Sequence, residues 1–126
     1  MRARLKPADG PSANTVLTKA VIRAGDRLHL RGTALSKIIG LSGATVTRMR
    51  RGEYTLNPNE KSFELSALFV RLYRSLDAIV GGDDEIAARW LTVRNSALGD
   101  TPINLIQTVR GLARVLDYLD ARRALV

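Results

Sequence analysis

The sequence predicts an all-α protein, a helix-turn-helix unit followed by a second helical unit. Three observations carry that expectation. Apolar residues recur at three- and four-residue spacing through most of the chain, the period of an amphipathic helix. Gly, Pro and small capping residues fall where those stripes start and stop. The charge is also divided: residues 1–58 hold eleven Lys/Arg against three Asp/Glu, and residues 59–126 hold nine against nine, so the whole formal net charge of +8 sits with the first unit. The boundaries expected are a flexible basic arm over 1–11, a helix-turn-helix domain over 12–58 and a second helical domain over 59–126.

Taken in order, the arm carries Arg2, Arg4 and Lys6 among Pro7, Gly10 and Pro11, and reads either as a phosphate-touching extension or as a frayed end. Ser12 or Asn14 then caps a helix to about Leu28, with Leu17, Ala20, Val21, Ala24 and Leu28 on its apolar stripe and Lys19, Arg23 and Arg27 outside it. This helix is expected to lend core to the two short ones that follow, which alone bury too little to stay folded.

The stretch from Gly32 to Gly52 has the form of a helix, a turn and a second helix. Leu35, Ile38 and Ile39 share one stripe, Gly40 supplies the positive φ that ends the first helix, Leu41 fills the corner, and Ser42 caps the second helix. Val46 and Met49 point back inward, leaving Gly43, Ala44, Thr45, Thr47, Arg48, Arg50 and Arg51 outward. Small residues at the tip permit close approach to a DNA major groove, and arginines on the flank can fork onto guanine edges or phosphates. Ser42, Gly43, Ala44, Thr47, Arg48 and Arg51 are therefore the expected base-edge contacts, with Lys37 and Arg50 on phosphates and Thr45 on the same DNA-binding face. The alternative is an ordinary αα-hairpin with a solvated basic face. The concentration of positive charge favours a polyanion partner for this unit, operator DNA.

In the second unit, Asn57-Pro58-Asn59 combines a turn with a helix cap, and a helix from Glu60 to about Val80 is expected to bury Leu65, Leu68, Phe69, Leu72, Leu76 and Val80. Phe63 and Tyr73 widen that apolar surface, which predicts that part of it meets a second copy of the chain; a dimer would suit a helix-turn-helix that reads two half-sites. Gly81-Gly82 closes the helix and Asp83 caps the next, with Asp84 and Glu85 favoured in its first turn by the helix dipole, a simpler account of three carboxylates than a metal or acid–base site. Ile86, Trp90, Leu91, Val93 and Ala97 are expected to continue the core face to Leu98-Gly99, with Trp90 a core anchor. Thr101-Pro102 starts a last helix. In it Gly111 permits close backbone approach, Leu112, Val115, Leu116 and Leu119 form the stripe, and Arg122-Arg123 suit the dipole at its end.

Composition removes several functions. There is no cysteine, hence no disulfide, thiolate metal site or Cys nucleophile, and the single His29 excludes a multi-histidine metal site within one chain. No apolar run approaches the roughly 20 residues of a membrane span, and MRARLKPADG lacks the apolar centre of a secretory signal, so a cytoplasmic location is expected. No Gly-rich phosphate cradle, nor any grouping of nucleophile, base and oxyanion donors, is visible, so no enzyme, metal or cofactor site is expected.

The ordered residues Trp90-Leu91, Asn95, Leu98-Gly99, Pro102, Leu105-Ile106, Thr108, Gly111, Val115 and Leu119 resemble the C-terminal toxin-binding domain of the Xre/MbcA/ParS-type antitoxins, which follows an Xre-like helix-turn-helix as it does here. The resemblance covers the chain from about Ser12 onward. It implies a ParS-like antitoxin of a type II toxin–antitoxin pair whose partner is a RES-domain toxin that uses NAD, either degrading it or transferring ADP-ribose from it. It further implies autorepression at the antitoxin's own promoter and a homodimer within a hetero-oligomer, with no membrane partner. The stretch after Gly111 would act as a plug over the toxin's NAD cleft, with Arg114, Tyr118, Arg122, Arg123, Ala124, Leu125 and Val126 facing the toxin. The alternative is a stand-alone helix-turn-helix repressor whose second half only dimerises.

Overall fold

Residues 12–125 are described by the structure, a computed structural model of the chain; the basic arm over 1–11 and Val126 lie outside the described residues. Among these residues the chain forms seven helices and no strand: α1 (Ala13–Arg27), α2 (Gly32–Ile39), α3 (Gly43–Arg50), α4 (Lys61–Ile79), α5 (Asp84–Thr92), α6 (Pro102–Leu105) and α7 (Val109–Arg123).

The starts are set by side-chain caps. Ser12, Ser42, Asp83, Thr101 and Thr108 each accept a backbone N–H from the first turn of the helix that follows, satisfying donors that would otherwise be orphaned. The end of α1 is less ordinary: His29 N–H reaches the Asp26 carbonyl at 3.0 Å and Leu30 N–H that of Gly25 at 2.9 Å. This pattern puts His29 at φ 58, in a position where glycine is the usual choice.

The long α4 is the spine. It packs chiefly on α7 and also on α1 and α2, so both units lean on one helix. Val21, Leu35, Ile39, Phe69, Leu72, Leu76, Leu112, Val115 and Leu119 are buried in one continuous core. At Gly111 the chain passes closely against itself, with the first turn of α7 lying against the carbonyl of Leu105 in α6.

Several expectations are corrected. Asn57-Pro58-Asn59 forms the turn but not the cap: the Asn57 side-chain oxygen accepts the Asn59 N–H at 2.9 Å, and Glu60 precedes α4 as an N-cap residue with no side-chain hydrogen bond to it. Tyr73 is buried within its own chain rather than left for a second copy, and Phe63 is partly buried against the same core. Leu65, Leu68 and Val80 are only partly buried, because α1 and α7 cover α4 on the side of Phe69, Val70, Leu72 and Tyr73. The helix after Asp83 stops at Thr92, and its expected stripe holds only in part: Leu91 is buried, beside Ala87, and Trp90 is partly buried against the core, while Ile86, Val93 and Ala97 are exposed. The last helix is two: α6 is a four-residue turn, after which Thr108 caps α7. Leu56, in the loop after α3, is buried although nothing in its local pattern announces it.

Candidate nucleic-acid and partner-binding surfaces

The first surface is built on α2 and α3. Gly40 at φ 73 ends α2, and the Ser42 hydroxyl oxygen accepts the Thr45 N–H at 3.1 Å while its side chain meets the Thr45 hydroxyl at 2.9 Å. Val46 and Met49 are buried, which fixes the roll of α3 and turns Gly43, Ala44, Thr47, Arg48 and Arg51 outward. Thr47 donates its hydroxyl to the Gly43 carbonyl at 3.1 Å. The structure thus gathers the expected base-edge residues on one exposed face, with Ser42 and Thr45 engaged in the cap at its tip and Lys37 exposed on α2.

Two contacts that sequence reasoning missed orient the arginines. The Arg48 guanidinium lies 5.2 Å from the centre of the Tyr54 ring, a cation–π contact that holds it along the surface. Burial, then Glu60, raises the Tyr54 phenol above its ordinary pKa of 10.0, so the ring stays neutral beneath Arg48. Arg50 is drawn away from the outward face into an ion pair with Asp26 of α1. The Arg50–Asp26 pair carried no sequence signal, because nothing local aligns residues twenty-four positions apart.

The second surface is the end of α7 with α5 beside it. The stretch after Gly111 divides: Leu112, Val115, Leu116 and Leu119 belong to the chain's own core, while Arg114, Arg122, Arg123, Ala124 and Leu125 are exposed and Tyr118 is partly so. Of the stretch expected as a plug, only the outer face of α7 and its tail are open to a partner, since Leu112, Val115, Leu116 and Leu119 belong to the core. Arg122 lies 5.3 Å from the centre of the Tyr118 ring, and that ring stacks on Trp90 of α5 with centroids 6.3 Å apart and planes 19° from parallel. Trp90 is thus partly buried against the core and also carries the Tyr118 ring.

The other side of α7 is tied to α4. Asp120 accepts from the Ser75 hydroxyl at 2.7 Å and pairs with Arg71, and Arg123 donates to the Ser75 oxygen at 3.4 Å. Arg123 consequently points toward α4, whereas Arg122 lies with Tyr118. The bracing leaves Leu125, 88% exposed, just beyond a held helix end.

The two units meet at a junction. Tyr73 of α4 accepts from Arg27 of α1 at 3.2 Å and donates to Asp84 of α5 at 3.2 Å. Burial is the main cause that raises the Tyr73 phenol, and its hydrogen bond in turn raises Arg27. His29 Nε2 sits 3.5 Å from Glu85, at the rim of a cavity of about 480 Å³ lined from both units by Leu28, Arg31, Arg89 and Ile103 among others. Asp83 accepts the N–H groups of Glu85 and Ile86, so the three carboxylates cap a helix and bridge to neighbours. Among the described residues no cluster of His, Cys, Asp or Glu could hold a metal ion, and no helix is long and apolar enough to cross a membrane.

Residues 7–71 match the antitoxin Xre-like helix-turn-helix domain, and residues 75–124 match the antitoxin Xre/MbcA/ParS C-terminal toxin-binding domain. No curated protein sequence matches the chain. Among solved structures it is similar in fold to a chain of the crystal structure of the M. tuberculosis MbcT–MbcA toxin–antitoxin complex, with a TM-score of 0.66 and 23% identity over 88% of this chain and 96% of that one.

Proposed function

The chain belongs to the Xre/MbcA/ParS antitoxin family, an Xre-like helix-turn-helix domain joined to a toxin-binding domain, and from that premise we propose that it silences a RES-domain, NAD-using toxin and represses its own promoter. The outer face of α7 and the tail cover the toxin's active site: Arg114, Tyr118 and Arg122 meet the rim, and Arg123, Ala124, Leu125 and Val126 lie nearest the cleft. A guanidinium pairs with acidic groups there, and the small apolar end fills space against the nicotinamide side. The chain itself does no chemistry. As a homodimer it places two copies of α3 over two half-sites, with Arg48 and Arg51 on base edges and Lys37 and Arg50 on phosphates.

One observation carries the reading: in a domain of the toxin-binding family, an exposed apolar tail follows a helix end that Ser75, Asp120 and Arg71 brace from one side only. Such bracing presents the tail at low entropic cost when a partner arrives. The test is co-expression with a RES-domain toxin. The full chain should rescue growth, and a chain cut after Arg123 should not; that cut spares the core, whereas one after Gly111 would remove Leu112, Val115 and Leu119 from it. Rescue by the shortened chain would overturn the plug.

A further inference from the structure

The cavity between the two units has no part in holding DNA or a toxin as argued above. Its volume of about 480 Å³ falls among small-molecule sites, about 300–1,000 Å³, which form preferentially where two domains meet. Leu28 from the first unit and Leu91 and Ile103 from the second line it and give it an apolar floor. Around that floor stand Arg31 and Arg89, one guanidinium from each unit, both exposed to a solute. Neither makes an ion pair among the described residues. Glu85 is the one carboxylate in the described lining, and it is met by His29 at 3.5 Å. Two like charges gathered at one hollow without a counter-charge repel each other, and an anion between them reverses the sign of that interaction.

His29 is an independent sign of a ligand. Its φ of 58 is left-handed, a conformation that glycine adopts freely and a histidine only with strain. The side chain carried at that cost stands in the cavity lining. Non-glycine residues held in this region cluster where proteins clamp ligands. Thr33 and Ala34 line the same hollow, in the first turn of a helix that begins without a side-chain cap.

We infer that the junction cavity binds a small organic anion. A carboxylate or phosphate group sits with Arg31 and Arg89, and an apolar body lies over Leu28, Leu91 and Ile103. The forked guanidinium matches either oxyanion through paired hydrogen bonds. Because the two arginines belong to different units, such a ligand ties the segment before α2 to α5 and stabilises the folded junction by mass action. The site is separate from the outward face of α3 and from the tail after α7, and it does not depend on which toxin the chain meets.

The experiment titrates the full chain with anilinonaphthalene sulfonate, a fluorescent probe that carries an acid group on an apolar body. The parent should bind it, and Arg31→Gln with Arg89→Gln should bind about 100-fold more weakly, each factor of ten being about 1.4 kcal/mol. Both substituted positions are exposed, so the fold, checked by circular dichroism, is retained. His29→Gly should raise the melting temperature by relieving the left-handed turn and yet weaken the probe severalfold, which a histidine with a purely structural role would not do. AMP or indole acetate should displace the probe and raise the melting temperature of the parent but not of the double variant. The stronger of the two competitors tells phosphate from carboxylate. No binding by the parent, unchanged affinity in the double variant, or displacement by neither acid would overturn the site. Equal affinity for phenylnaphthylamine, which lacks the sulfonate, would overturn it as an anion site.

Discussion

A Cβ added to Gly111 would lie 1.8 Å from the carbonyl oxygen of Leu105 and 2.6 Å from its carbon, so α7 begins where only glycine fits. The obstacle is backbone, which cannot swing aside as a side chain can. Gly111→Ala should therefore destabilise the fold by about 3 kcal/mol, the upper end of overpacking costs. Thermal unfolding of the variant checks it; a melting temperature equal to that of the parent would mean that α6 and α7 cross less tightly.

Thr18 holds a loop that local pattern left unexplained. Its hydroxyl donates to the Asn14 carbonyl at 2.6 Å and accepts the Leu56 N–H at 3.0 Å in a buried setting, so one hydroxyl pins α1 to the loop after α3. Thr18→Val keeps the shape and strands the Leu56 donor, at a cost of about 1–3 kcal/mol. Amide exchange at Leu56 should accelerate in step with the loss of denaturant stability; an unchanged exchange rate would remove Thr18 from this role.

These two contacts mark where sequence is informative. Caps such as Ser42 and Asp83, the break at Gly40 and the close approach at Gly111 are local demands on backbone donors and dihedrals, and local residues announce them. Spacing also identified the inner stripes of α1, α2, α3 and α7. What periodicity cannot tell is which of two apolar faces the core will take. On α5 both Ala87/Leu91 and Ile86/Trp90 are helical stripes, and only the position of α5 at the edge of α4 and α6 decides between them. The burial of Leu56, the Arg50–Asp26 pair and the Trp90–Tyr118 stack are all non-local, so no window of sequence contains them.

Tyr73 predicts an alkaline limit to stability. Burial raises its pKa above the 10.0 of an exposed phenol, so the native state keeps the proton longer than the unfolded chain does. The associated stability is complete below the unfolded pKa and is lost as pH rises through the higher folded one. Tyr73→Phe should flatten the fall in melting temperature between about pH 9 and about pH 11. It should also cost about 1 kcal/mol near neutrality through the lost bonds to Arg27 and Asp84. Tyr54, raised for the same first reason, supplies the slope that remains. A slope identical in the variant and its parent would place the alkaline transition elsewhere.

The arginines of α3 should separate by their neighbours. Arg48 lies over Tyr54 on the outward face, whereas Arg50 is paired with Asp26. Arg48→Ala should cost about 1–3 kcal/mol at the operator and relax its preference at one base pair, with little change on scrambled DNA. Arg50→Ala should weaken every sequence alike and lower the salt slope by about 1, as the loss of one phosphate contact does. Asp26→Ala tests the restraint directly. It frees Arg50 and removes a carboxylate near the phosphates, so binding to scrambled DNA should strengthen, where a purely structural pair would only lose stability. Fluorescence anisotropy over a salt series measures all three. If Arg48→Ala shifted operator and scrambled DNA by the same factor, the outward face of α3 would not be reading sequence.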